Sequence, residues 1–465
     1  MFWTPDRLAA RARGRWLAPM SASAATGFAI DSRKIATGQV FIALRGEHAD
    51  GHDFLHHAAR AGASTALVER APVDPPTGLG LLLVEDSIRA LADLARAFRI
   101  EALDRVRIVG ITGSSGKTTT VRLVDSILAT CGHGSCPPGS FNNHLGVPLT
   151  LLAARERDDY LIVEIGTNAP GEIRALADLA RPQAALITSI GRAHVQGLGG
   201  REGVAREKAS LFDALVPPAL RVLPGDEPLL AHVRPAITFG LRDDCDYRVE
   251  SIACDASGTS FFLFERSGEA TPELLRLPLV GRHNALNAAA AAALARAMGI
   301  AWDDIRRGLA EARGAPMRLE VKRLASGVEI LDDSYNANPD SMLAALRTLR
   351  DLPARGRRVA MLGEMRELGV HANALHAEIV ADLARAPLDL VVLVGPGFRA
   401  AADDLAPRFP GRVEWFEDST EPNARLAAAH VREGDIVLVK GSRATRMERL
   451  ASAIEAAALA ARAGA

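Results

Sequence analysis

Gly113, Gly116, Lys117 and Thr118 carry the clearest chemistry in the sequence, in the run Gly113-Ser114-Ser115-Gly116-Lys117-Thr118-Thr119. Glycines let successive backbone N–H groups close around phosphate oxygens, and a helix N-terminus behind them adds partial positive charge. A lysine at that point reaches β- and γ-phosphates, and the hydroxyl after it ligates Mg²⁺. The expected chemistry is binding of a nucleoside triphosphate. The full phosphate-loop spacing asks for a glycine where Ile111 stands, so the match is to a shorter form. A Gly/Ser-rich turn with a chance lysine is the alternative. The apolar run before the loop and the helical pattern after it argue against that.

Further groups could act on such a nucleotide. Glu164 ends the run Tyr160-Leu161-Ile162-Val163 and is well sited for its Mg²⁺, unless it is merely a solvent-exposed strand-end acid. His194, in Gly191-Arg192-Ala193-His194, reads alone as a surface-loop residue and gains weight beside Glu164 and Lys208. Lys208 lies in a helical pattern, and its simplest reading is a solvated helix lysine. Lysine usage points elsewhere: of 55 basic residues only Lys34, Lys117, Lys208, Lys322 and Lys440 are lysine. Positions where guanidinium will not serve would resist replacement by arginine. For Lys322, flanked by Arg323, chance is the preferred reading. A lysine amine can add carbon dioxide to become an oxygen-bearing anion, which arginine does not do readily. A second Mg²⁺ held by Glu164, His194 and carbamylated Lys208 would bridge phosphate to an acceptor carboxylate, where negative charge crowds.

Three more strand or helix ends stand out. In Gly281-Arg282-His283-Asn284-x-x-Asn287, His283 and Asn287 lie four apart on one helix face and could read a base edge; a helix cap by Asn284 is the alternative. Arg318 could reach a γ-phosphate from across a cleft. In Asp332-Asp333-Ser334-Tyr335-Asn336-Ala337-Asn338-Pro339, Asp332 suits ribose hydroxyls and Tyr335 suits stacking, although a purely structural turn is possible. Lys440-Gly441-Ser442-Arg443 is rich in donors for a carboxylate ligand. A helix cap by Ser442 could coexist with that role.

The elements that must position these residues read as α/β in three domains. These are a small α/β N-terminal domain over 1–104, a central P-loop parallel-sheet ATPase domain over 105–315 and a C-terminal Rossmann-like α/β domain over 316–465. Expected strands are 27–31, 40–44, 65–68 and 81–84 in the first, with helices at 52–61 and 87–100. The second has strands at 106–111, 160–165, 184–190 and 221–223, hairpins over 247–277, and helices at 284–298 and 302–313. The third has strands at 328–332, 358–362, 390–394 and 435–439. Sites of open parallel sheets lie beyond the C-terminal strand ends, where these motifs fall.

Composition narrows the partners. A 465-residue chain with 48% hydrophobic and 24% charged residues is ordinary for a globular protein. A net charge of −1 gives no reason to expect nucleic acid or an anionic membrane. Asp6, Arg7, Arg11 and Arg13 argue against a signal peptide. No apolar run reaches the length of a membrane span, so no membrane insertion is expected. The four cysteines lack zinc or framework spacing, which suits a reduced cytoplasm.

With these motifs the chain resembles the Mur ligase family. The resemblance is carried by Asp31-Ser32-Arg33-Lys34, Phe41 to Gly46 with Asp50 to Phe54, the phosphate loop, Asn142-Asn143-His144-Leu145-Gly146-Val147-Pro148 and Glu164-Ile165-Gly166-Thr167-Asn168. The Gly281 helix start, the Asp332 to Pro339 loop, Gly363 to Gly369 and the Lys440 strand end complete it. It implies an ATP-dependent ligase of peptidoglycan precursor synthesis, of the branch that adds D-alanyl-D-alanine to UDP-N-acetylmuramoyl-tripeptide through an acyl phosphate. The implied cofactors are ATP and two Mg²⁺ ions, with Lys208 carbamylated. The implied catalytic group is Lys117, Glu164, His194 and Lys208, with Thr118 as a further metal ligand. Residues Gly113 to Thr119 would hold phosphates, and His283, Asn287, Arg318, Asp332 and Tyr335 the rest of the nucleotide. Ser32 and Arg33 would lie near the uridine diphosphate. Asn142, Asn143, Thr167, Asn168, Asn336, Asn338, Lys440 and Ser442 would contact substrates. A cytoplasmic monomer is expected. Thr167 stands where this branch commonly has alanine. The sister ligase that adds the third amino acid would carry Asp-Asn-Pro-Arg, absent here; a folylpolyglutamate synthase would lack the Asp31-Ser32-Arg33 region. A binding-only scaffold would not need both metal sites.

Overall fold

The computed structural model describes residues 2–463 except Ser21, Ser23, 47–48, 193–194 and 267–270, with side chains described up to 460. Three sheets follow one another along the chain. The first joins β1 (Arg15–Ala18), β2 (Phe28–Ala29), β3 (Val40–Ile42), β4 (Thr65–Val68) and β5 (Gly80–Leu83) in the order β1-β5-β4-β3-β2. Only β1 runs antiparallel to its neighbour.

The second sheet holds β6 (Arg107–Thr112), β7 (Gly134–Ser135), β8 (Tyr160–Glu164), β9 (Ala184–Ile187), β10 (Leu220–Pro224), β11 (Ile237–Gly240), β12 (Tyr247–Asp255), β13 (Gly258–Glu265) and β14 (Glu273–Leu277). Its order is β14-β13-β12-β11-β10-β9-β6-β8-β7, parallel from β12 to β7 and antiparallel in the terminal hairpins. Strand β6 is buried from Ile108 onward, as a parallel strand covered on both faces must be. One cover is the helix Arg282–Ala297, in which Ala288 to Ala295 are all buried. Their small side chains let it sit close against the helix Lys117–Leu128 and the sheet.

The third sheet holds β15 (Glu320–Arg323), β16 (Glu329–Asp333), β17 (Arg358–Gly363), β18 (Leu390–Val394), β19 (Arg412–Phe416) and β20 (Ile436–Lys440), in the order β15-β16-β20-β17-β18-β19. All pairs but β15–β16 are parallel. The three-domain α/β expectation holds. Expected strands at 27–31 and 184–190 are shorter than read. Asp31 leaves the first strand to cap the turn Ser32–Lys34, accepting from the Arg33 N–H at 3.1 Å. Beyond Ile187 the chain leaves β9, where Thr188 and Ser189 bond the phosphate loop. The helix Pro5–Ala12 and strands β1, β7, β11, β15 and β19 were not anticipated. The four cysteines are free thiols, and among the described residues no helix is long and apolar enough to cross a membrane.

Arg99 fastens the first sheet's helix Ser87–Glu101 to the second. Its guanidinium, 6% exposed, donates to Ala180 O at 2.9 Å, Arg181 O at 3.1 Å and Leu103 O at 2.7 Å. The first two carbonyls end the helix Glu172–Ala180, where a cation meets the negative end of the helix dipole. Arg99→Ala strips three buried carbonyls of their donor and should lower stability by about 3 kcal/mol. The first urea-unfolding transition measures this; a loss under about 1 kcal/mol, the worth of an ordinary exposed pair, would show the joint stands without it.

Candidate functional site

Strands β8, β6 and β9 lie side by side, with Ile111 opposite Glu164 and Thr112 opposite Ile187. Their C-terminal ends therefore open at one level, and the phosphate loop crosses that opening. Gly113 has φ +154°, and a Cβ there would lie 1.8 Å from Thr188 Oγ1. Gly116 has φ +82°, in the left-handed region, and a Cβ would meet Asn287 Oδ1 at 2.4 Å. Both glycines are thus required by close approach. The loop is stitched to the segment after β9. Ser114 N donates to Ser189 O at 2.9 Å, Ser115 N to Ser189 Oγ at 3.0 Å, Thr188 Oγ1 to Ser115 O at 2.5 Å and Gly191 N to Ser114 Oγ at 2.9 Å. Thr119 follows within the first turn of the helix that begins at Lys117.

Lys117 folds back so that Nζ donates to Gly113 O at 2.8 Å. Burial holds its amine below the ordinary lysine value; Glu164 opposes that and Arg318 adds to it. Glu164 is fully buried, which excludes the solvent-exposed strand-end reading. A buried carboxylate needs donors on both oxygens. Thr118 Oγ1 donates to Oε2 at 2.7 Å and Asn142 Nδ2 to Oε1 at 2.7 Å. Ser140, which the sequence reading missed, extends this chain. Its hydroxyl lies 3.1 Å from Thr118 Oγ1 and accepts from Arg318 Nη2 at 2.7 Å. Since Thr118 spends its proton on Glu164, Ser140 must spend its own on Thr118. The protons run Arg318 to Ser140 to Thr118 to Glu164, leaving hydroxyl lone pairs and a carboxylate clustered beside the loop. Hard oxygen groups of this kind fit Mg²⁺.

Lys208 is 2% exposed on the helix Arg201–Ala209, so the solvated-lysine reading fails. Burial first, then repulsion from Lys117, lowers its amine to about 7, while Glu207 opposes the shift. Glu207 itself faces elsewhere: its carboxylate accepts from Gly171 N and Ile173 N, both at 2.8 Å. His194 lies outside the described residues, so its place beside Glu164 and Lys208 is not seen. Among the described residues there is no cluster of three or more His, Cys, Asp or Glu side chains able to hold a metal.

The third sheet meets this site edge-on. Arg318 lies over the Tyr335 ring with its guanidinium carbon 4.2 Å from the centroid. Asn338 caps the helix Pro339–Asp351 and donates from Nδ2 to Ser115 Oγ at 3.2 Å. Successive strand residues point to opposite faces, and this separates Asp332 from Asp333. Asp332 is 1% exposed, accepts from the Ser334 hydroxyl at 2.6 Å and pairs with Lys322 at 2.9 Å, which also holds Glu455 at 2.8 Å. The Asp332 carboxylate, expected at a ribose, is engaged as an internal anchor, with Lys322 as its partner. The carboxylate on the other face is Asp333, missed in the sequence because the two acids are identical in type. It holds Lys440 Nζ at 2.6 Å and the Leu319 N–H at 3.1 Å, and it acts electrostatically on His283. Desolvation lowers the His283 imidazole, with Asp333 opposing and Lys440 adding.

Several expected substrate contacts are engaged within the protein. Asn143 Oδ1 accepts from Leu145 N at 3.2 Å and Gly146 N at 2.9 Å, starting a helix. The Thr167 hydroxyl bonds Ala169 O at 2.7 Å, and Glu172 takes the Asn168 N–H at 2.7 Å; both close a loop. Arg33 is exposed and forked onto Asp31 at 2.9 Å, while Ser32 is buried. Asn336 Oδ1 accepts from Ala337 N at 2.9 Å and its carbonyl takes Lys440 Nζ at 3.0 Å. Lys440 is 2% exposed. Ser442 accepts from Arg366 N at 2.8 Å and makes no side-chain helix cap. Asn284 makes none either: it donates to Val280 O and accepts from Asn287 at 3.0 Å.

The sequence and the fold match known proteins. Residues 25–99 match the family described as Mur ligase family, catalytic domain; 111–295 match Mur ligase middle domain; and 317–443 match Mur ligase, glutamate ligase domain. The chain is 36% identical to the UDP-N-acetylmuramoyl-tripeptide--D-alanyl-D-alanine ligase of Bacillus subtilis (strain 168), over 91% of this chain and 92% of that protein. The Escherichia coli (strain K12) protein of the same name is also 36% identical, over 91% and 92%. A crystal structure of MurF from Acinetobacter baumannii superposes with TM-score 0.84 at 32% identity, covering 97% of this chain and 99% of that one. MurF ligase from Thermotoga maritima, in complex with ADP, gives 0.78 at 29% identity over 93% and 97%. With three family domains matched in order and relatives aligned nearly end to end, the chain belongs to the Mur ligase family.

Proposed function

We propose that this protein joins D-alanyl-D-alanine to UDP-N-acetylmuramoyl-tripeptide at the expense of ATP, as a cytoplasmic monomer making peptidoglycan precursor. The relatives' shared name supports the substrates, and the ADP-bound neighbour supports ATP. The observation that carries the reading is Arg318 on Ser140: a residue beside the third sheet reaches the hydroxyl that touches Thr118 of the phosphate loop.

Residues 1–104 would take the uridine diphosphate end, 105–315 the nucleotide and 316–465 the dipeptide. The tripeptide carboxylate attacks the γ-phosphorus and ADP leaves. The dipeptide amine then attacks the acyl carbon, phosphate departs with the C–O bond pair, and the amine sheds a proton. Lys117 and Arg318 act together at the single acid Glu164, and that surplus of positive charge suits a polyphosphate and the anionic transfer state. Mg²⁺, held by Thr118 and Glu164 and by Glu164, His194 and Lys208, would neutralise charge on the transferred phosphoryl group. Lys208 would serve as its carbamate. A neutral amine is the form that adds carbon dioxide, and an amine held near 7 supplies it. The carbamate would also turn Lys117 from a repelling neighbour into an attracting one.

The test supplies ATP, Mg²⁺ and the UDP-tripeptide, with and without D-alanyl-D-alanine, and follows ADP and product mass. Dipeptide-dependent ADP release and a product heavier by one dipeptide residue pair are expected. No such release with either the diaminopimelate or the lysine tripeptide would sink the proposal.

A further inference from the structure

Arg192 ties the central sheet to the third unit with one residue. Its Nε donates to Asp340 Oδ1 at 2.9 Å and its backbone N–H to Asp340 Oδ2 at 2.7 Å. Its two terminal nitrogens fork onto Glu378, at 2.6 and 3.1 Å. Asp340 lies in the first turn of the helix Pro339–Asp351, and Glu378 in the helix Ala372–Leu383. Two helices of the third unit are therefore held from a single point.

That point is part of the phosphate loop's own scaffold. Gly191, the preceding residue, bonds Ser114, and a Cβ on it would lie 2.5 Å from Asp340 Oδ2. Asn338, two residues before Asp340, bonds Ser115. The first turn of one helix thus straddles Ser114 and Ser115, gripped at Asn338 on one side and at Asp340 on the other. Any shift of the loop on taking up phosphate is felt at both grips, and any departure of the third unit frees both.

We propose that Arg192 is a positioning residue, an electrostatic clasp that couples the state of the phosphate loop to docking of the third unit. The inference deepens the ligase reading and rests on it for the identity of the amine substrate. The groups are partly exposed, at 30% for Arg192, 39% for Asp340 and 42% for Glu378. Salt therefore reaches the clasp, and screening over a length of about 10 Å at 0.1 M should loosen it. Asp340 also stabilises its own helix N-terminus, so Arg192 and Glu378 are the cleaner positions to change.

The experiment uses the full chain as Arg192→Ala, Arg192→Lys and Glu378→Gln. Small-angle scattering with and without ADP–Mg²⁺ reads docking, and steady-state kinetics read KM for D-alanyl-D-alanine against kcat at low and high salt. Arg192→Ala should enlarge the ADP-bound radius of gyration and raise the dipeptide KM about tenfold, the size that a few partly exposed charge pairs supply. Arg192→Lys, a point charge in place of a fork, should fall between. Glu378→Gln should shift both readings in the same direction by less. Wild-type readings should approach those of Arg192→Ala as salt rises. An unchanged radius and KM in Arg192→Ala, or a lowered melting temperature with neither moved, overturns the clasp. Should Arg192→Ala fail to fold, Glu378→Gln decides by the same criteria. If the wild type shows no dipeptide-dependent turnover, the ligase reading fails while the scattering arm still decides the clasp.

Discussion

Lys208→Ala should reduce ligase turnover by about a thousandfold, the scale seen when one preorganised electrostatic group is removed from a transfer site. Short carboxylic acids such as acetate, at high concentration, should partly restore it by placing an anionic oxygen pair where the carbamate stood. Full activity in the alanine variant would remove the carbamate from the mechanism. A pH arm sharpens this. Protein stripped of carbon dioxide should regain activity on adding bicarbonate, faster as pH rises through about 7, because the ammonium form has no lone pair to attack with. Stability changes with pH in the same direction. Between about 7 and the ordinary lysine value the unfolded chain binds a proton that the folded chain does not, so stability rises with pH across that window. Lys208→Met, which removes the buried amine, should be more stable than the wild type near pH 7, with the gain shrinking as pH rises, yet inactive. Urea unfolding of both proteins at two pH values separates lost chemistry from lost fold.

Lys117→Arg should be as damaging, although it keeps the charge. Nζ of Lys117 reaches back to Gly113 O at 2.8 Å, inside a loop whose glycines leave no room for a Cβ. A planar guanidinium is wider than an ammonium and directs its donors in a fixed fork. It would press on the loop or point past the phosphates. A loss of at least about a hundredfold in kcat/KM for ATP is expected, on the scale of a misplaced catalytic group. ADP release by the variant, measured beside fluorescent-nucleotide binding, tests it; arginine supporting wild-type turnover would mean that charge alone suffices.

The sequence revealed those parts of the molecule in which backbone and side chain ask for the same thing. The phosphate loop is legible because its glycines, its lysine and its flanking apolar strand each require the others. Strand β18 is legible because all five residues are apolar and buried. Strands β15 and β19, Glu-Val-Lys-Arg and Arg-Val-Glu-Trp-Phe, lie at sheet edges where charged residues are tolerated, so they carry little apolar signal. The helix Pro5–Ala12 carries local signals, Thr4 as cap and proline at its start, but only Leu8 and Ala12 are buried, so its apolar face is short. Within the site, what could not be read was direction. Nothing in Asp332-Asp333 says which acid faces inward until β16 is paired with β20. Arg99, Ser140 and Arg192 act on groups 81, 178 and 186 positions away in the chain, and common residue types at long separation leave no local pattern.

The position of β20 has a consequence for how the protein comes into being. Among the described residues it follows every other strand in chain order, yet it lies in the middle of the third sheet, between β16 and β17. Until residues 436–440 leave the ribosome, those two strands face a gap of about 10 Å, two strand spacings, that nothing else in the chain fills. The first two sheets can fold as they emerge, since domains generally form in order of synthesis. The third cannot, and with β20 comes Lys440, the partner of Asp333. A growing chain can therefore present a finished phosphate loop while lacking the surface that closes over it. Completion of the catalyst therefore waits on residues 436–440.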